Sequence, residues 1–317
     1  MLKRLKTYLG QQRRNFKLMK FHMKQSKSIN PDANKRIIVC FNGQVPHGGL
    51  VDRLKGMISF YDVAQQLNYD FFIQFSHPFN LDLFLEPNAF DWRIDETETG
   101  LSKTTQLINV INQFDLDPLE LIKSSSKQTF LVYANIDYLS KTNPTKSGKA
   151  LEHLWRTHFN HLFKQSSQLK KALLDLEPEP YISIHTRFTS IMGDFQDSTS
   201  LIISEEERTV LLEQLKVQID YIQSTHVEKV YVFSDSSLFL SYALQNTTTQ
   251  TVKGTPFHMD SYTSQAEIEA HLKTLVDFFM IAESQNVYFL KINPMYSSAF
   301  SKYAAIIGNK PFIKIEA

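Results

Sequence analysis

The fold class of this chain is decided by residues 36–67, which read RIIVCFNGQVPHGGLVDRLKGMISFYDVAQQL. The first six residues, Arg36–Phe41, form a short apolar run rich in β-branched side chains, which predicts a buried strand. A loop rich in glycine follows at residues 42–49. From Leu50 to about Leu67 the apolar residues recur at helical spacing, which predicts a helix. A strand, a glycine-rich turn and a helix in this order predict the start of a parallel α/β sheet.

The same alternation of strand and helix continues along the chain. Further strands are predicted at Phe71–Phe75, Thr129–Ala134, Tyr181–Arg187, Lys229–Ser234, Val287–Leu290 and Pro311–Ile315. Helices are predicted over Lys149–Asp175, from the capping box at Ser204 to about Ile222, over Ile268–Ala282 and over Ser297–Ile307. The pattern predicts doubly wound parallel sheets of the Rossmann type.

The length and one proline-rich segment predict the division into domains. A chain of 317 residues is expected to form about two domains. The sequence Glu177-Pro178-Glu179-Pro180 interrupts the helical pattern and is the best candidate boundary. We therefore predict a basic arm at residues 1–31, an N-terminal Rossmann-like domain at residues 32–177 and a C-terminal one at residues 178–317.

The composition excludes several classes of protein. Apolar residues make up 42% of the chain, enough for substantial cores, and a single cysteine, Cys40, excludes a disulfide framework and cysteine-based zinc sites. Cys40 lies inside an apolar strand and is predicted to be a core residue. Asp115-Leu116-Asp117 resembles a metal-binding DxD sequence, but it lies in a polar stretch before Pro118. We therefore predict no metal site.

The charge is unevenly distributed. The formal net charge is +1, which indicates no overall preference for nucleic acid. Residues 1–31 contain nine Lys or Arg and no acid, which leaves 25 basic against 33 acidic residues in the rest of the chain. Apolar residues of this arm recur at helical spacing among the cations, namely Leu2, Leu5, Leu9, Phe16, Met19 and Met23. This pattern is typical of a basic amphipathic helix on an anionic membrane surface. The alternatives are a solvated segment that precedes the body, or a helix packed on the body or on another subunit.

The cations of the arm also bear on localisation. A secretory signal needs an uninterrupted apolar core of roughly 7–15 residues, and lysines or arginines interrupt every such stretch of the arm. No later window provides the ~20 apolar residues of a membrane span. The prediction is a cytoplasmic protein, with the arm outside both cores as a peripheral contact to the inner face of the membrane.

The first candidate site is the turn that contains Gly48 and Gly49. Glycines between a strand and a helix let a ligand approach the backbone N–H groups at the helix N-terminus, where anions and sugars bind. Asp52 and Arg53 lie in the first helical turn, and Asp52 also suits the helix dipole. The alternative is an ordinary strand-to-helix turn with a capping acid.

The second candidate site follows the first predicted strand of the C-terminal domain, in the sequence His185-Thr186-Arg187. An arginine at the carboxyl end of such a strand faces the crevice where open α/β sheets bind ligands, and its planar fork suits a phosphate. Asp194 follows in the same loop. The alternative is an arginine paired with an acid on the domain surface.

Two serine-rich segments complete the candidate sites. Ser297 and Ser298 precede the last predicted helix, so that their hydroxyl groups and the helix N-terminus could hold a phosphate or only cap the helix. Ser234-Asp235-Ser236 follows a predicted strand and could hold a nucleoside or cap a helix.

These segments resemble the motifs of the fucosyltransferase superfamily of GT-B glycosyltransferases, nearest to the bacterial nodulation type. The resemblance is carried in order by GGLVDRLKG from Gly48, by HTR from His185 with the downstream Gly193-Asp194, by VFSD ending at Asp235, and by SSAFSKYA from Ser297. It spans roughly Arg36 to Ile315. Val51 replaces a usual glycine, and Phe188-Thr189 stands where a second arginine often follows.

The resemblance implies a fold and a reaction. The expected fold is GT-B, with two facing Rossmann-like domains and a nucleotide-sugar cleft between them. The expected reaction is inverting and metal-independent: fucose passes from GDP-fucose to a glycan or glycolipid-type acceptor, with no cofactor beyond the donor. No nucleic acid partner is expected.

The resemblance also assigns roles to residues. Arg187 would contact the β-phosphate, while Ser297 and Ser298 would lie near the diphosphate. His258 and Asp260 are candidates for the nucleoside side. The loop that holds Gly48, Gly49 and Arg53 would reach across the cleft, and His185 and Asp235 complete the predicted donor-binding residues.

Inversion requires a base that takes the proton of the acceptor hydroxyl. Asp52 and Asp194 are the acids in the candidate loops, and Asp194 is slightly preferred. The competing interpretations are a GT-B protein that uses another nucleotide sugar such as GDP-mannose, a protein that binds a nucleotide sugar without catalysis, and a membrane-surface interaction protein.

Overall fold

The computed structural model of the chain describes residues 2–25, 34–176, 179–195, 201–257, 259 and 268–316. The chain forms two compact units, Met1–Lys164 and Gln165–Ala317. The division lies ahead of the boundary expected near residues 177–178, which are outside the described residues. The basic arm is part of the first unit.

The first unit contains a four-stranded parallel sheet in its described residues, in the order β2-β1-β5-β4. Its helices and strands are α1 (Leu2–His22), β1 (Arg36–Phe41), α2 (Leu50–Leu67), β2 (Asp70–Phe75), β3 (Leu85–Pro87), β4 (Thr105–Asn109), α3 (Pro118–Lys123), β5 (Thr129–Tyr133), α4 (Leu139–Thr142) and α5 (Lys149–Leu162). Short 3-10 turns occur at Leu81–Leu83 and Glu96–Glu98. A short strand β6 (Phe163–Gln165) pairs with β3.

The second unit repeats the architecture. Its described strands form a parallel sheet in the order β10-β9-β7-β8. Its elements are α6 (Ser167–Leu174), β7 (Tyr181–His185), α7 (Glu205–Ser224), β8 (Lys229–Phe233), α8 (Ser237–Asn246), α9 (Ile268–Glu283), β9 (Val287–Lys291), α10 (Phe300–Gly308) and β10 (Phe312–Glu316). The predicted parallel α/β class is thus confirmed for each unit.

The order of the strands determines where each unit can bind a ligand. In the first sheet the chain moves from β1 to β2 on one side and later to β5 on the other. In the second sheet β7 is flanked in the same way by β8 and β9. Ligands of open α/β sheets bind at such switch points, beyond the carboxyl ends of the strands. The loops after β1, β5, β7 and β9 are therefore the relevant ones.

The predicted single helix over Lys149–Asp175 is wrong. The chain leaves the helical conformation at β6 and restarts at α6, where the Ser166 side chain accepts a hydrogen bond from the Leu169 amide at 3.2 Å. This serine is an N-cap, and N-caps mark a helix start rather than a helix interior. The apolar spacing on both sides of β6 conceals the break.

The prediction that the basic arm lies outside both cores is also wrong. Leu18 of α1 is fully buried in a cluster that includes Ile38 and Leu131 of the first sheet. His22 is fully buried as well, and its Nδ1 lies 2.7 Å from the Thr99 carbonyl oxygen. Cys40 belongs to the same cluster, as predicted. The second half of α1 is therefore a structural part of the first unit. Among the described helices, none is both long enough and apolar enough to cross a bilayer.

We predict that Leu18→Ala destabilises the first unit by about 2–4 kcal/mol, because it leaves a cavity between α1 and the sheet. Thermal and urea unfolding would be followed by tryptophan fluorescence, since both tryptophans of the sequence, Trp92 and Trp155, lie in this unit. Met19→Ala is the matched control, because Met19 is the adjacent exposed apolar residue. Equal stability of the two variants would contradict the packing of α1.

Candidate functional site

The carboxyl end of β7 carries an arginine held by a buried acid. Nη1 of Arg187 lies 3.2 Å from Oδ2 of Asp235, whose side chain is only 5% exposed. The guanidinium carbon of Arg187 also lies 5.2 Å from the centre of the Phe195 ring. The Arg187 side chain itself is 22% exposed. The guanidinium is thus oriented by an anion on one side and an aromatic face on the other, while part of it remains at the surface.

Asp235 also holds the backbone of the loop that carries Arg187. Its Oδ1 accepts a hydrogen bond from the Phe188 amide at 2.8 Å, and its Oδ2 accepts one from the Thr189 amide at 2.7 Å. Thr189 has a φ of 56°, a left-handed conformation that is costly for a β-branched residue. The bond to Asp235 therefore stabilises a strained turn directly after Arg187.

The sequence predicts Asp235 as a donor-binding residue, and in the structure its carboxylate is buried and bonded to the Arg187 loop. Burial raises the pKa of Asp235, and the Arg187 guanidinium and the two loop amides oppose that rise. All the bonds described for the carboxylate point back into the protein. Asp235 is a residue that positions Arg187.

The loop after β9 lies beside the Arg187 loop. The Tyr296 amide donates a hydrogen bond to the Arg187 carbonyl oxygen at 3.1 Å. Two residues later, Ser298 Oγ accepts from the Phe300 amide at 3.2 Å, and Ser297 is exposed. The N-cap residue of α10, Ala299, supplies no side-chain cap. The structure therefore brings the predicted serines, Arg187 and a helix N-terminus to the same edge of the second sheet.

His185 is not at the surface of this edge. Its ring is buried between Phe289 and Phe300, each with a centroid distance of 5.5 Å, and its Nδ1 lies 3.0 Å from Ser301 Oγ. Burial, followed by the charge of Arg187, lowers the pKa of His185 to about 3. The histidine is neutral and connects β7 to the first turn of α10. The predicted contact of His185 with the donor stays a prediction.

Asp194, the slightly preferred catalytic base, acts as a helix cap. Its Oδ2 accepts hydrogen bonds from the Leu238 amide at 2.8 Å and from Ser236 Oγ at 3.0 Å. Both donors belong to the start of α8, where a carboxylate interacts favourably with the helix dipole.

In the first unit, the glycine turn and the first residues of α2 are folded closely together. Gly48 has a φ of +80°, and a Cβ atom there would lie 2.6 Å from Oδ2 of Asp52. Asp52 is 43% exposed, and its Oδ1 lies 3.0 Å from Nζ of Lys55. Gly49 is the N-cap of α2, with open space where a side chain would be. Gly56 lies against the Ala134 carbonyl oxygen, which a Cβ would approach to 2.3 Å. Glycines at 48 and 56 are thus required by the backbone.

Arg53 is fully buried and does not present its charge to a ligand. Its Nε donates to the Gly48 carbonyl oxygen at 3.0 Å and its Nη1 to the His77 carbonyl oxygen at 2.6 Å. The guanidinium lies 5.3 Å from the centre of the Phe75 ring. Arg53, which the sequence predicts as a donor-binding residue, therefore fixes the backbone of the glycine turn.

A second group of residues at this end of the first sheet was missed by the sequence analysis. Tyr133, the last residue of β5, has its hydroxyl 2.7 Å from Nε2 of His22, and Asn42 Nδ2 donates to the same hydroxyl at 2.7 Å. The His47 ring stacks on Tyr133 at 5.9 Å. Asn42 follows β1 directly, and position at a strand end was the signal that could have identified it.

Two predicted residues, His258 and Asp260, lie outside the described residues. Asp117 of the DxD sequence is the N-cap of α3, where its Oδ1 accepts from the Leu119 amide at 2.9 Å. Within the described residues, no group of three or more His, Cys, Asp or Glu side chains is arranged to hold a metal ion. An open cavity of about 400 Å³ in the first unit is lined by Asp82, Glu86, Pro87, Asn88, Phe90, Asp91, Arg93 and Lys164, none of which is a predicted site residue.

Each unit is thus a parallel α/β unit whose candidate site lies beyond the first strand of its sheet. No family model matches the chain, and no curated protein matches it closely enough to count as a relative. Among the solved structures that are similar to this chain are two of one enzyme. A crystal structure of NodZ alpha-1,6-fucosyltransferase soaked with GDP-fucose has a TM-score of 0.56 and 16% sequence identity, over 87% of this chain and 93% of that chain. A crystal structure of NodZ alpha-1,6-fucosyltransferase co-crystallized with GDP has a TM-score of 0.54 and 16% identity, over 86% and 92% of the two chains.

The chain therefore shares the fold of a fucosyltransferase over most of its length. The resemblance that the four sequence motifs predict is confirmed at the level of the fold. At 16% sequence identity the comparison shows the fold alone.

We predict that protonation of His22 opposes folding of the first unit. Burial lowers the pKa of His22 from 6.5 to about 4, so the unfolded chain binds the proton more tightly than the folded one. The contribution to stability is complete above about pH 6.5 and is lost as the pH falls towards 4, by up to about 1.4 kcal/mol per pH unit. Urea unfolding of the parent and of His22→Gln, followed by tryptophan fluorescence, measures this slope.

In His22→Gln the loss of stability on acidification should be smaller, because the contribution of the His22 imidazole is absent. His153→Gln, at an exposed histidine of the same unit, is the control and should retain the parent slope. An unchanged slope in His22→Gln would show that His22 is not buried in its neutral form.

We predict that Asp235→Asn destabilises the second unit by about 3 kcal/mol or more, because the amide places N–H against N–H and leaves Arg187 without its anion. Hydrogen–deuterium exchange of β7 and β8 measures the stability of this unit directly. Asp194→Asn is the matched control, since it alters an exposed capping carboxylate and should cost about 1 kcal/mol. If both substitutions lowered the stability by the same small amount, the bonds of Asp235 would not be what holds the Arg187 loop.

Proposed function

We propose that the chain is a glycosyltransferase that uses GDP-fucose as donor and a glycan or glycolipid-type molecule as acceptor. The observation that carries the proposal is the arrangement of Arg187, oriented by the buried Asp235, beside the N-terminus of α10. The similarity in fold to NodZ structures soaked with GDP-fucose or co-crystallized with GDP supports this donor. The predicted cleft between two facing domains stays a prediction.

The arrangement suits a reaction in which a nucleoside diphosphate departs. Breaking the bond to the sugar leaves negative charge on the β-phosphate, and fixed donors aimed at that charge lower the barrier. The forked guanidinium of Arg187 and the positive end of α10 are such donors. Ser297 is exposed beside them and would contact the diphosphate. With these donors the leaving group is stabilised without a metal ion, as the metal-independent reaction requires.

Inversion also needs a base for the acceptor hydroxyl. Of the two acids predicted from the sequence, Asp52 suits this role better, because its described partner is the side chain of Lys55 and not the start of a helix. Asp194 is committed to the start of α8. We therefore assign Asp52 as the base, with Lys55 as the cation that holds its carboxylate in place.

We predict that GDP raises the melting temperature of the protein, whereas UDP and CMP at equal concentration do not, because only a ligand of the folded state stabilises it.

Arg187→Lys should fold, since a lysine still pairs with Asp235, but should lower fucose transfer by about 10²-fold through loss of the forked contact. Turnover with GDP-fucose is measured with EDTA present. Arg93→Lys, in an exposed arginine–aspartate pair of the first unit, is the matched control.

The outcomes separate the competing functions. Stabilisation by GDP with transfer from GDP-mannose but not GDP-fucose would identify another donor. Stabilisation by GDP without any transfer would identify a binding protein. Equal responses to all three nucleotides, or a strict requirement for a divalent cation, would contradict the proposed function.

A further inference from the structure

The outward face of α1 is a cationic and apolar surface. Phe16, Met19 and Met23 are 68%, 46% and 71% exposed, and their spacing of three and seven residues places them in one stripe along the helix. Such large apolar side chains on the exposed face of one helix form a patch that is typical of an interaction site. We call these three residues the apolar stripe.

A row of cations lies next to the apolar stripe. Arg13, Lys17, Lys20 and Lys24 are all exposed, and their spacing of four, seven and eleven residues places them on one side of the stripe. Within the described residues, none of the four pairs with a carboxylate. Residues 1–31 contain no acid at all. We call these four residues the cation row.

The opposite side of the same helix is anchored. Leu18 and His22 are fully buried in the first unit, and Gln11 Nε2 donates to the Asn109 carbonyl oxygen at 3.3 Å. Past the helix end, Gln25 Nε2 donates to Oε1 of Glu96 at 3.1 Å. The apolar stripe and the cation row are therefore held outward by a folded unit and do not depend on a mobile arm.

We propose that this face of α1 docks on an anionic lipid bilayer, with the apolar stripe at the level of the headgroups and the cation row against the lipid phosphates. Two features favour this occupant. Insertion of Phe and Met side chains beside lysines is the pattern of helices that lie in the membrane interface. The rest of the chain has 25 basic and 33 acidic residues, so an anionic surface attracts this face and repels the body.

The test is co-sedimentation of the full-length protein with vesicles. One set is phosphatidylcholine alone, and the other is equal parts phosphatidylcholine and phosphatidylglycerol. The parent should bind only the anionic vesicles, and added salt should release it. Lys17→Glu with Lys20→Glu should weaken binding by about tenfold or more, because each cation near such a surface contributes to the attraction. Phe16→Ser with Met23→Ser should weaken it as well.

Matched controls are available elsewhere on the surface. Lys146→Glu with Lys149→Glu changes two exposed lysines of the first unit at the same spacing, and Val210→Ser with Val217→Ser changes two exposed apolar residues of α7. Both control variants should bind like the parent. Equal binding to neutral vesicles, parent-like binding of the α1 variants, or equal losses in the controls would overturn the proposal.

A second measurement reports the contact between α1 and the membrane directly. Cys40 is fully buried, so a cysteine introduced by Met23→Cys is the thiol that reacts with an environment-sensitive dye. Its emission should shift to the blue on anionic vesicles, whereas the same dye at Val217→Cys should not respond. The protein could instead form an oligomer in the absence of lipid. If Phe16→Ser converted that oligomer to a monomer, this face would be a protein interface and the proposal would be overturned.

Discussion

The buried carboxylate of Asp235 is the interaction on which the candidate site of the second unit depends. A carboxylate removed from water is unstable unless hydrogen bonds and an opposite charge replace its hydration. Here the replacements are the Phe188 and Thr189 amides and the guanidinium of Arg187. All three donors lie in one loop after β7. The need to satisfy one buried anion therefore determines the course of the loop, the strained turn at Thr189 and the direction of Arg187.

The first unit also contains a buried charge at its candidate site, but there the charge is positive. At its glycine turn the buried ion is the cation Arg53, and the groups that satisfy it include the carbonyl oxygens of Gly48 and His77. A buried anion gathers backbone N–H groups and a buried cation gathers backbone C=O groups, since each must recover the interactions lost with water. In both units the loop after the first strand is therefore held in place by hydrogen bonds within the protein. Such preorganisation allows fixed dipoles to stabilise a charge that develops during a reaction.

Periodicity and motif order were sufficient to predict most of the architecture. β1 and α2 begin and end where the sequence predicts, because apolar runs and helical spacing report directly on burial. The motifs lie at or just after the carboxyl ends of β1, β7, β8 and β9. They could not indicate the direction of a side chain: Arg53 and Asp235 have the residue types of ligand contacts, yet both are turned inward. Whether a charge faces a ligand or the backbone depends on tertiary contacts that spacing does not contain.

The position of α1 is a second feature that apolar spacing does not predict. The arm reads as amphipathic because the apolar stripe dominates its pattern, whereas the anchoring side consists mainly of Leu18 and the polar His22. A buried histidine has no signature in apolar periodicity. Yet His22 contacts Tyr133, and Tyr133 contacts Asn42 at the start of the glycine-rich loop. The helix that presents the cation row is thus two hydrogen bonds from a loop of the candidate site. Any surface that orients α1 would orient that loop with it, because the buried side chains of His22 and Tyr133 connect the two.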